Sequence, residues 1–297
     1  MVESSRLRKP RAVRDSKPPS SLKSTVLSLA KGFRVLEVFN EADRELTLSE
    51  IARRAELDPG TAFRLVRTLV SLGYLQQSEG AKRYMLGLKV LDLGFNAIAR
   101  MDLHSSARPI LRSLVGQVNE AASIGALDGP DVLYIERVHA GLVRLGVNVR
   151  IGSRIPAYCS AIGRAILAFL PKAKCREILA MRERVRLTPR TLVTIPEIEE
   201  RLEIVRRQGY DVVDEETVNG LRAMAAPILD ADGHPHGAVS VTAPSFTRPL
   251  TDFVRSAKGP LLQAAADLSR LISVSGATAI VDGALTSNRG GIDNGTH

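Results

Sequence analysis

Residues 47–74 contain two short amphipathic helical patterns joined by a tight turn, and this arrangement constrains the fold more than any other feature. In each half, apolar residues recur at i, i+3, i+4 and i+7, the spacing of one helix face. Thr47 and Glu50 have the spacing of a capping box, and Asp58 and Pro59 suit the start of the second helix. The apolar positions are Leu48, Ile51, Ala52 and Ala55, then Ala62, Leu65, Val66 and Leu69. The pattern predicts a helix-turn-helix.

The opposite face of the second helix is polar and basic. No acidic residue occurs from Pro59 to Ser78, so nothing in this stretch would repel phosphates. An Arg side chain can donate two hydrogen bonds to a guanine edge, and hydroxyl groups can reach phosphates or bases. A helical hairpin with a solvated basic face is the alternative. The DNA-contacting residues predicted in this motif are Ser49, Thr61, Arg64, Arg67 and Thr68.

The segment that follows favours the DNA-binding interpretation. Residues 74–77 and 82–86 have the pattern of two strands around a turn, and Lys82 and Arg83 make this hairpin basic. An apolar helical pattern around Val35 also precedes the motif. Three helices and a basic hairpin predict a winged helix-turn-helix, in which Lys82 and Arg83 contact the DNA backbone or the minor groove.

Composition describes a globular chain with a polyanionic partner. The 297 residues carry a net charge of +9, with mean hydropathy near zero. Residues 1–24 supply about half of this excess and lack periodicity, which predicts a disordered basic arm that either adds DNA affinity or only aids solubility. No apolar run approaches a membrane span, and no signal peptide is expected. The two cysteines lack metal or redox spacing, which fits a reducing cytoplasm.

The rest of the chain predicts a second domain. Residues 88–101 have a heptad-like seam of Leu88, Leu91, Phe95 and Ile98, which predicts a linker helix that pairs with a partner chain or packs on its own domain. From residue 121 the period changes to that of strands and hairpins. We therefore predict an arm at 1–24, a winged helix-turn-helix at 25–87, the linker at 88–101, an effector domain at 102–273 and a flexible tail at 274–297.

The second domain is expected to be α+β. Strands are predicted at 122–127, 132–138, 142–149, 210–213, 223–229 and 237–242, and helices at 102–120, 160–170, 175–181, 198–208 and 251–272. An antiparallel sheet with helices on one side is typical of GAF/PAS-like domains. Such a domain offers a pocket between sheet and helix for a small ligand.

The chain resembles the IclR family of transcriptional regulators from about residue 28 to 272. This resemblance implies operator binding as a dimer or a dimer of dimers, modulated by a small metabolite. Residues 152–160 resemble, within that family, the regulators of protocatechuate, 4-hydroxybenzoate and β-ketoadipate metabolism. The residues that carry the resemblance are Ser28–Glu37, the helix-turn-helix, Tyr84–Leu88, Arg154–Ala168, Tyr210–Glu215, Gly220–Pro227 and Gly237–Thr242.

The resemblance also implies an effector site for a carboxylic or aromatic acid where a loop enters a helix. Backbone N–H groups at a helix start suit a carboxylate, and a glycine there would permit close approach. The expected residues are Arg154, Tyr158, Cys159, Ser160, Ala161, Ile162, Gly163, Asp214, Ala223, Ser240 and Thr242. The alternatives are structural: Arg154 pairs with an acid, Tyr158 is core, and Ser240 and Thr242 are ordinary strand residues. Ala223 stands where some members have Cys, which favours a more apolar pocket.

Enzymatic function is the main rival hypothesis. Cys159 lies at a predicted helix start, where a thiolate is stabilised, but no His shares a motif with it. A GAF-like enzyme that uses Cys159 as nucleophile therefore remains the alternative to a regulator. His234 and His236 lie in a predicted turn without zinc spacing, so no metal and no cofactor are predicted.

Overall fold

The computed structural model divides after residue 95 into two units, each of which is described by itself. The first carries a three-stranded sheet and the second a six-stranded sheet. The basic arm, the hairpin turn at 79–81, most of the strand predicted at 142–149 and most of the tail lie outside the described residues. Within the described part of the chain, no helix is long and apolar enough to cross a membrane. The structure describes residues 26–40, 43–78, 82–99, 103–139 and 149–275.

The first unit is a winged helix-turn-helix, as predicted. Its three helices enclose a small core around Val35, Ile51 and Val66, and its antiparallel strands follow the order β1-β3-β2. The two-residue strand β1 was not expected, because it is too short to show an alternating pattern. The elements are α1 (Leu27–Glu37), β1 (Leu46–Thr47), α2 (Leu48–Arg54), α3 (Pro59–Ser71), β2 (Leu75–Gln77) and β3 (Arg83–Leu86).

Side-chain caps fix where the two helices of the motif begin. The hydroxyl of Thr47 accepts a hydrogen bond from the backbone N of Glu50, whose carboxylate accepts one from the backbone N of Thr47. Asp58 accepts a hydrogen bond from the backbone N of Thr61 at 2.8 Å, with Pro59 as the first helical residue. Both predicted caps are confirmed, and they satisfy N–H groups that the helices leave unpaired.

The second unit is built on an antiparallel sheet in the order β6-β5-β4-β9-β8-β7. Pairing of β4 with β9 in the centre joins two hairpins that are distant in sequence. Helix α4 (Lys89–Ala99) spans the division between the units. The elements of the second unit are α5 (Leu103–Val118), β4 (Ala121–Asp128), β5 (Asp131–Val138), β6 (Arg154–Pro156), α6 (Ala161–Leu167), α7 (Lys172–Ala180), α8 (Ile195–Gln208), β7 (Asp211–Asp214), β8 (Leu221–Leu229), β9 (Pro235–Pro244) and α9 (Leu250–Ser275).

Helices cover both faces of this sheet, so the expectation of helices on one side was wrong. Helices α5 and α9 pack on one face around Ile124 and Val239, which we call the α5/α9 face. Helices α6, α7 and α8 pack on the other face of the sheet, around Ala225 and Ala238. We call this second face the α6 face. The run Ala223–Ile228 of β8 contains no polar residue, and a strand without polar alternation is buried on both faces.

Several helices of the second unit differ in their bounds from the sequence-based prediction, and α6 and α8 show the reasons. Helix α6 ends at Leu167, before Pro171, although helical spacing continued to residue 170. Helix α8 begins at Ile195 rather than at residue 198, because Thr194 and Glu197 form a capping box. The edge strand β6 was also unexpected, since three residues carry too little pattern to indicate a strand.

A buried ion network holds α6 against the sheet. The side chain of Arg164 is fully buried, and its Nε donates to Asp211 at 2.6 Å. Its two Nη atoms donate to the carboxylate of Glu216 at 2.7 and 2.8 Å, and Arg201 of α8 donates to Asp211 at 2.7 Å. Burial alone would lower the pKa of Arg164, but the charges of Asp211 and Glu216 raise it. The network therefore joins α6, β7 and α8.

We expect Arg164→Met to lower the free energy of unfolding by about 3–5 kcal/mol, because it leaves the buried carboxylate of Asp211 without one of its partners. Urea unfolding measures this loss. Arg176→Met is the matched control, since Arg176 forms a surface ion pair with Glu199 at 2.6 Å and its loss should change stability little. Equal effects of the two substitutions would contradict the structural role of the network.

Candidate functional sites

Helix α3 presents a basic face to solvent. Arg64, Arg67 and Thr68 are exposed, while Thr61 is half-buried beside the cap of the helix. The hydroxyl of Thr68 donates to the backbone carbonyl of Arg64 at 2.9 Å, which leaves its lone pairs available as acceptors. Four of the predicted DNA-contacting residues thus lie on one helix, which is exposed along its polar side.

Phe63 is an exposed aromatic residue on the same helix that the sequence-based prediction omitted. Its side chain is 44% exposed, and the guanidinium of Arg67 lies 5.7 Å from its ring centroid. The sequence could have indicated this exposed position, because Phe63 is an aromatic residue outside the apolar stripe of Ala62, Leu65 and Val66. A large apolar side chain on a recognition helix can contact a thymine methyl group.

The other predicted contacts lie at the start of α2 and in the hairpin. Ser49 is exposed in the first turn of α2, and Lys82 and Arg83 are exposed at the start of β3. Arg83 pairs in register with Thr47, and its Nη1 donates to the carbonyl of Glu45 at 3.2 Å. Arg83 and Ser49 therefore lie near the same end of α2.

In the second unit, strand register brings three of the predicted effector residues together. Ala223 pairs directly with Thr242, and Ser240 lies between Ala225 of β8 and Ser123 of β4. Residues paired in register point to the same side of a sheet, so all of these share the α6 face. Ala223 and Thr242 are half-buried, whereas Ser240 is buried.

Asp214 and Arg154 are not part of that group. Asp214 pairs in register with Arg222 on the α5/α9 face, and it forms ion pairs with Arg190 at 2.6 Å and Arg222 at 3.1 Å. Arg154 pairs in register with Leu133 on the α5/α9 face and forms a surface ion pair with Asp128. The register therefore directs neither side chain toward Ser240, because side-chain direction reverses at each strand residue.

The segment before α6 is packed and internally hydrogen-bonded. Tyr158 is buried, and its hydroxyl donates to the carbonyl of Val185 at 2.5 Å. Ser160 caps α6 by accepting from the backbone N of Gly163. A Cβ at residue 163 would lie 2.2 Å from the carbonyl oxygen of Ala157, so Gly163 is required by backbone packing. Ala161 and Ile162 are also buried, in the core under this helix.

The hairpin turn with the two histidines has a structural explanation. Asp230, Asp232 and His234 lie close enough together to offer three metal-ligating atoms. However, one carboxylate oxygen of Asp230 already accepts from the backbone N of Asp232 and of His234, and the other lies 3.0 Å from His236 Nε2. Asp230 thus closes the turn through its own carboxylate, as Asp residues commonly do.

Cys159 lacks the properties of a nucleophile. It is fully buried, with its Sγ 3.8 Å from the carbonyl of Pro156. Burial raises the pKa of its thiol to about 11, although the charge of Arg164 acts in the opposite direction. A thiol with such a pKa is almost entirely protonated at neutral pH, so its position near a helix start does not activate it.

The sequence and the fold match one family. The IclR helix-turn-helix domain matches residues 28–79, and the C-terminal domain of the bacterial transcriptional regulator IclR matches residues 95–270. The chain belongs to the IclR family of DNA-binding bacterial transcriptional regulators. It is a regulator and not an enzyme, because the matching families and relatives are transcriptional regulators.

Three relatives illustrate the relationship. The chain is 38% identical to the Pca regulon regulatory protein of Pseudomonas putida over 72% of this chain and 73% of that protein. A transcriptional regulator from Rhodococcus sp. RHA1 superposes with a TM-score of 0.74 at 35% identity, over 83% of this chain and 98% of that one. An IclR homolog from Microbacterium hydrocarbonoxydans, solved with 4-hydroxybenzoate, superposes with a TM-score of 0.71 at 25% identity, over 82% and 99%.

We expect the thiol of Cys159 to react slowly with a maleimide in the native protein at pH 7.5. A pKa about two units above the ordinary value lowers the thiolate fraction about 100-fold, and burial slows access further. Mass spectrometry of peptides after timed labelling measures the rate, and labelling in urea gives the matched rate for the accessible thiol. Native labelling as fast as in urea would contradict this environment.

Proposed function

We propose that this regulator controls aromatic-compound catabolism and that a small aromatic or carboxylic acid modulates its binding to operator DNA. The observation that carries the proposal is the α6 face, where alanines and hydroxyl groups lie side by side. Ala223 and Ala225 adjoin Ser240 and Thr242 in register, a surface that suits an apolar ring bearing polar groups. The similarity to a Pca regulon regulator and to a homolog solved with 4-hydroxybenzoate supports this ligand class.

The proposed effector site comprises one wall from the sheet and one from the segment before α6. Ala223, Ser240 and Thr242 form the first, and the second is the run Tyr158–Gly163. A ligand can change operator affinity only if the protein has two arrangements of its DNA-binding units and the ligand binds them with different affinities. The proposal therefore requires that the acid bind one of those arrangements more tightly.

In the proposed DNA complex, α3 enters the major groove. Arg64 and Arg67 read base edges, with Phe63 placed to contact a thymine methyl group. Hydroxyl groups at a helix start and basic residues of a wing position the protein on phosphates. We assign phosphate or sugar contacts to Ser49, Thr61, Thr68, Lys82 and Arg83, all of which are exposed except the half-buried Thr61.

The proposed assembly is a homodimer or a dimer of dimers. In α4 and just before it, Leu88 is 75% exposed and Leu91 is 51% exposed, although both are large and apolar. Exposed apolar side chains at helical spacing commonly mark an interface. The side chains of Phe95 and Ile98, the rest of the predicted seam, lie outside the described residues.

Arg64→Ala should weaken specific operator binding by roughly 1–3 kcal/mol and relax base preference at one position, because a base-reading Arg carries discrimination. Quantitative binding to the operator and to scrambled duplexes measures both effects. Arg207→Ala is the matched control, since it removes the same charge from an exposed site on α8. An equal loss on operator and scrambled DNA would remove Arg64 from the base-reading set.

Protocatechuate, 4-hydroxybenzoate, β-ketoadipate and cis,cis-muconate form the panel for the effector. A ligand that binds only the folded state adds about 2.7 kcal/mol of stability at 100 times its dissociation constant. We expect at least one of these acids to raise the unfolding midpoint and to change operator affinity. If none does either, the proposal of aromatic-acid control fails, while membership in the family of DNA-binding regulators stands.

A further inference from the structure

Arg137, near the end of β5, is a half-buried cation without a carboxylate partner among the described residues. Its Nη1 donates to the hydroxyl of Ser123 at 2.8 Å, and its buried Nε has no hydrogen-bond partner within the described part of the chain. The adjacent Glu136 pairs in register with Ile124 on the α5/α9 face, and its carboxylate accepts a hydrogen bond from the backbone N of Arg137. Residues 140–148, the next part of the chain, contain no Asp or Glu.

Strand register places Arg137 beside the proposed effector site. Arg137 pairs with Ser123, Ser123 with Ser240, and Ser240 with Ala225, so these four form a row across β5, β4, β9 and β8. Neighbouring strands lie roughly 4.8 Å apart, which puts the backbone of Arg137 roughly 10 Å from that of Ser240. An extended Arg side chain bridges much of that distance, and the hydrogen bond to Ser123 directs it toward β4.

The charge environment of Arg137 suits an anion. Removing a guanidinium from water without a counter-charge is unfavourable, and burial accordingly lowers the pKa of Arg137. The pKa of His139 is lowered by burial and then by the charge of Arg137, which shows that this guanidinium contributes a positive potential at the end of β5. A bound carboxylate would supply the missing counter-charge.

We propose that Arg137 binds the carboxylate of the effector, with the rest of an aromatic acid lying beside the half-buried Ala223 and Thr242. Nη1 of Arg137 donates to Ser123. The opposite edge of the guanidinium, formed by Nε and Nη2, can therefore donate two parallel hydrogen bonds, one to each oxygen of a carboxylate. The hydroxyls of Ser240 and Thr242 would then face polar substituents of the ring. This assignment rests on the proposed effector site and adds the residue that recognises the acid group.

The test compares full-length wild-type protein with Arg137→Met and Arg154→Met. The probes are the four acids of the panel and 4-hydroxybenzamide, which keeps the ring but lacks the charged group. Arg154 is the matched control, because it is a partly exposed Arg on the opposite face that already pairs with Asp128. Calorimetric titration gives each affinity, and urea unfolding without ligand confirms that each variant is folded.

We expect Arg137→Met to weaken binding of the acid roughly tenfold to a hundredfold, as for loss of a hydrogen bond between charged groups. Arg154→Met should leave it unchanged, and the amide should bind both variants as it binds the wild type. Loss of acid and amide binding together would indicate a structural role and overturn the assignment.

Two further outcomes separate this assignment from the proposed function. If Arg137→Met binds the acid as tightly as the wild type, Arg137 is not the anchor, while the effector site stands. If the wild type binds no acid of the panel, the proposed function and this assignment both fail. Should Arg137→Met not fold, Arg137→Lys keeps the charge without the planar fork, and unchanged affinity in that variant would contradict two-point recognition.

Discussion

The buried ion network of Arg164 is the interaction on which the second unit depends. The guanidinium of Arg164 forms ion pairs with the carboxylates of Asp211 and Glu216. Asp211 forms a second ion pair with Arg201. Charged groups are retained in an interior only where partners and geometry offset the loss of hydration. The network therefore fixes the distance and orientation of α6 over the sheet. Because α6 covers the face that carries Ser240 and Thr242, the same network bounds the effector site proposed there.

Two arginines at the α6 face, Arg164 and Arg137, differ in their partners. Asp211, Ala225, Ser240, Ser123 and Arg137 occupy one row across five strands, so the partner of Arg164 lies at one end and Arg137 at the other. At the first end the charges balance within the protein. At the second end the guanidinium contacts a neutral hydroxyl, and an external anion is the natural complement. Ala225 lies between the two ends, and its small side chain makes this part of the row apolar.

Local features were predictable from the sequence, and long-range ones were not. The caps at Thr47 and Asp58 and the apolar stripes of α2 and α3 depend on residues within one turn, so the first unit could be predicted in detail.

The placement of Asp214 and Arg154 depends on strand register, and a shift of one residue reverses the face to which a side chain points. Gly163 was expected to admit a ligand, and the structure adds a packing requirement that its sequence neighbours do not reveal, since the backbone of Ala157 leaves no room for a Cβ there. Arg137 belongs to no sequence motif, since its significance lies in the lack of a carboxylate partner among the residues that the structure describes.

The arginines of this chain have different electrostatic roles. Arg176 and Arg190 form ion pairs near the surface with acids of their own unit, and such pairs contribute little to stability or to an external field. Arg64 and Arg67 lie on a helix without acidic residues, so their charges remain available to phosphates and base edges. Attraction to DNA through these residues weakens with salt, whereas the desolvated guanidinium of Arg137 is screened much less. Salt should consequently weaken the DNA interaction more steeply than recognition of the acid, because only the first depends on exposed charges and counterion release.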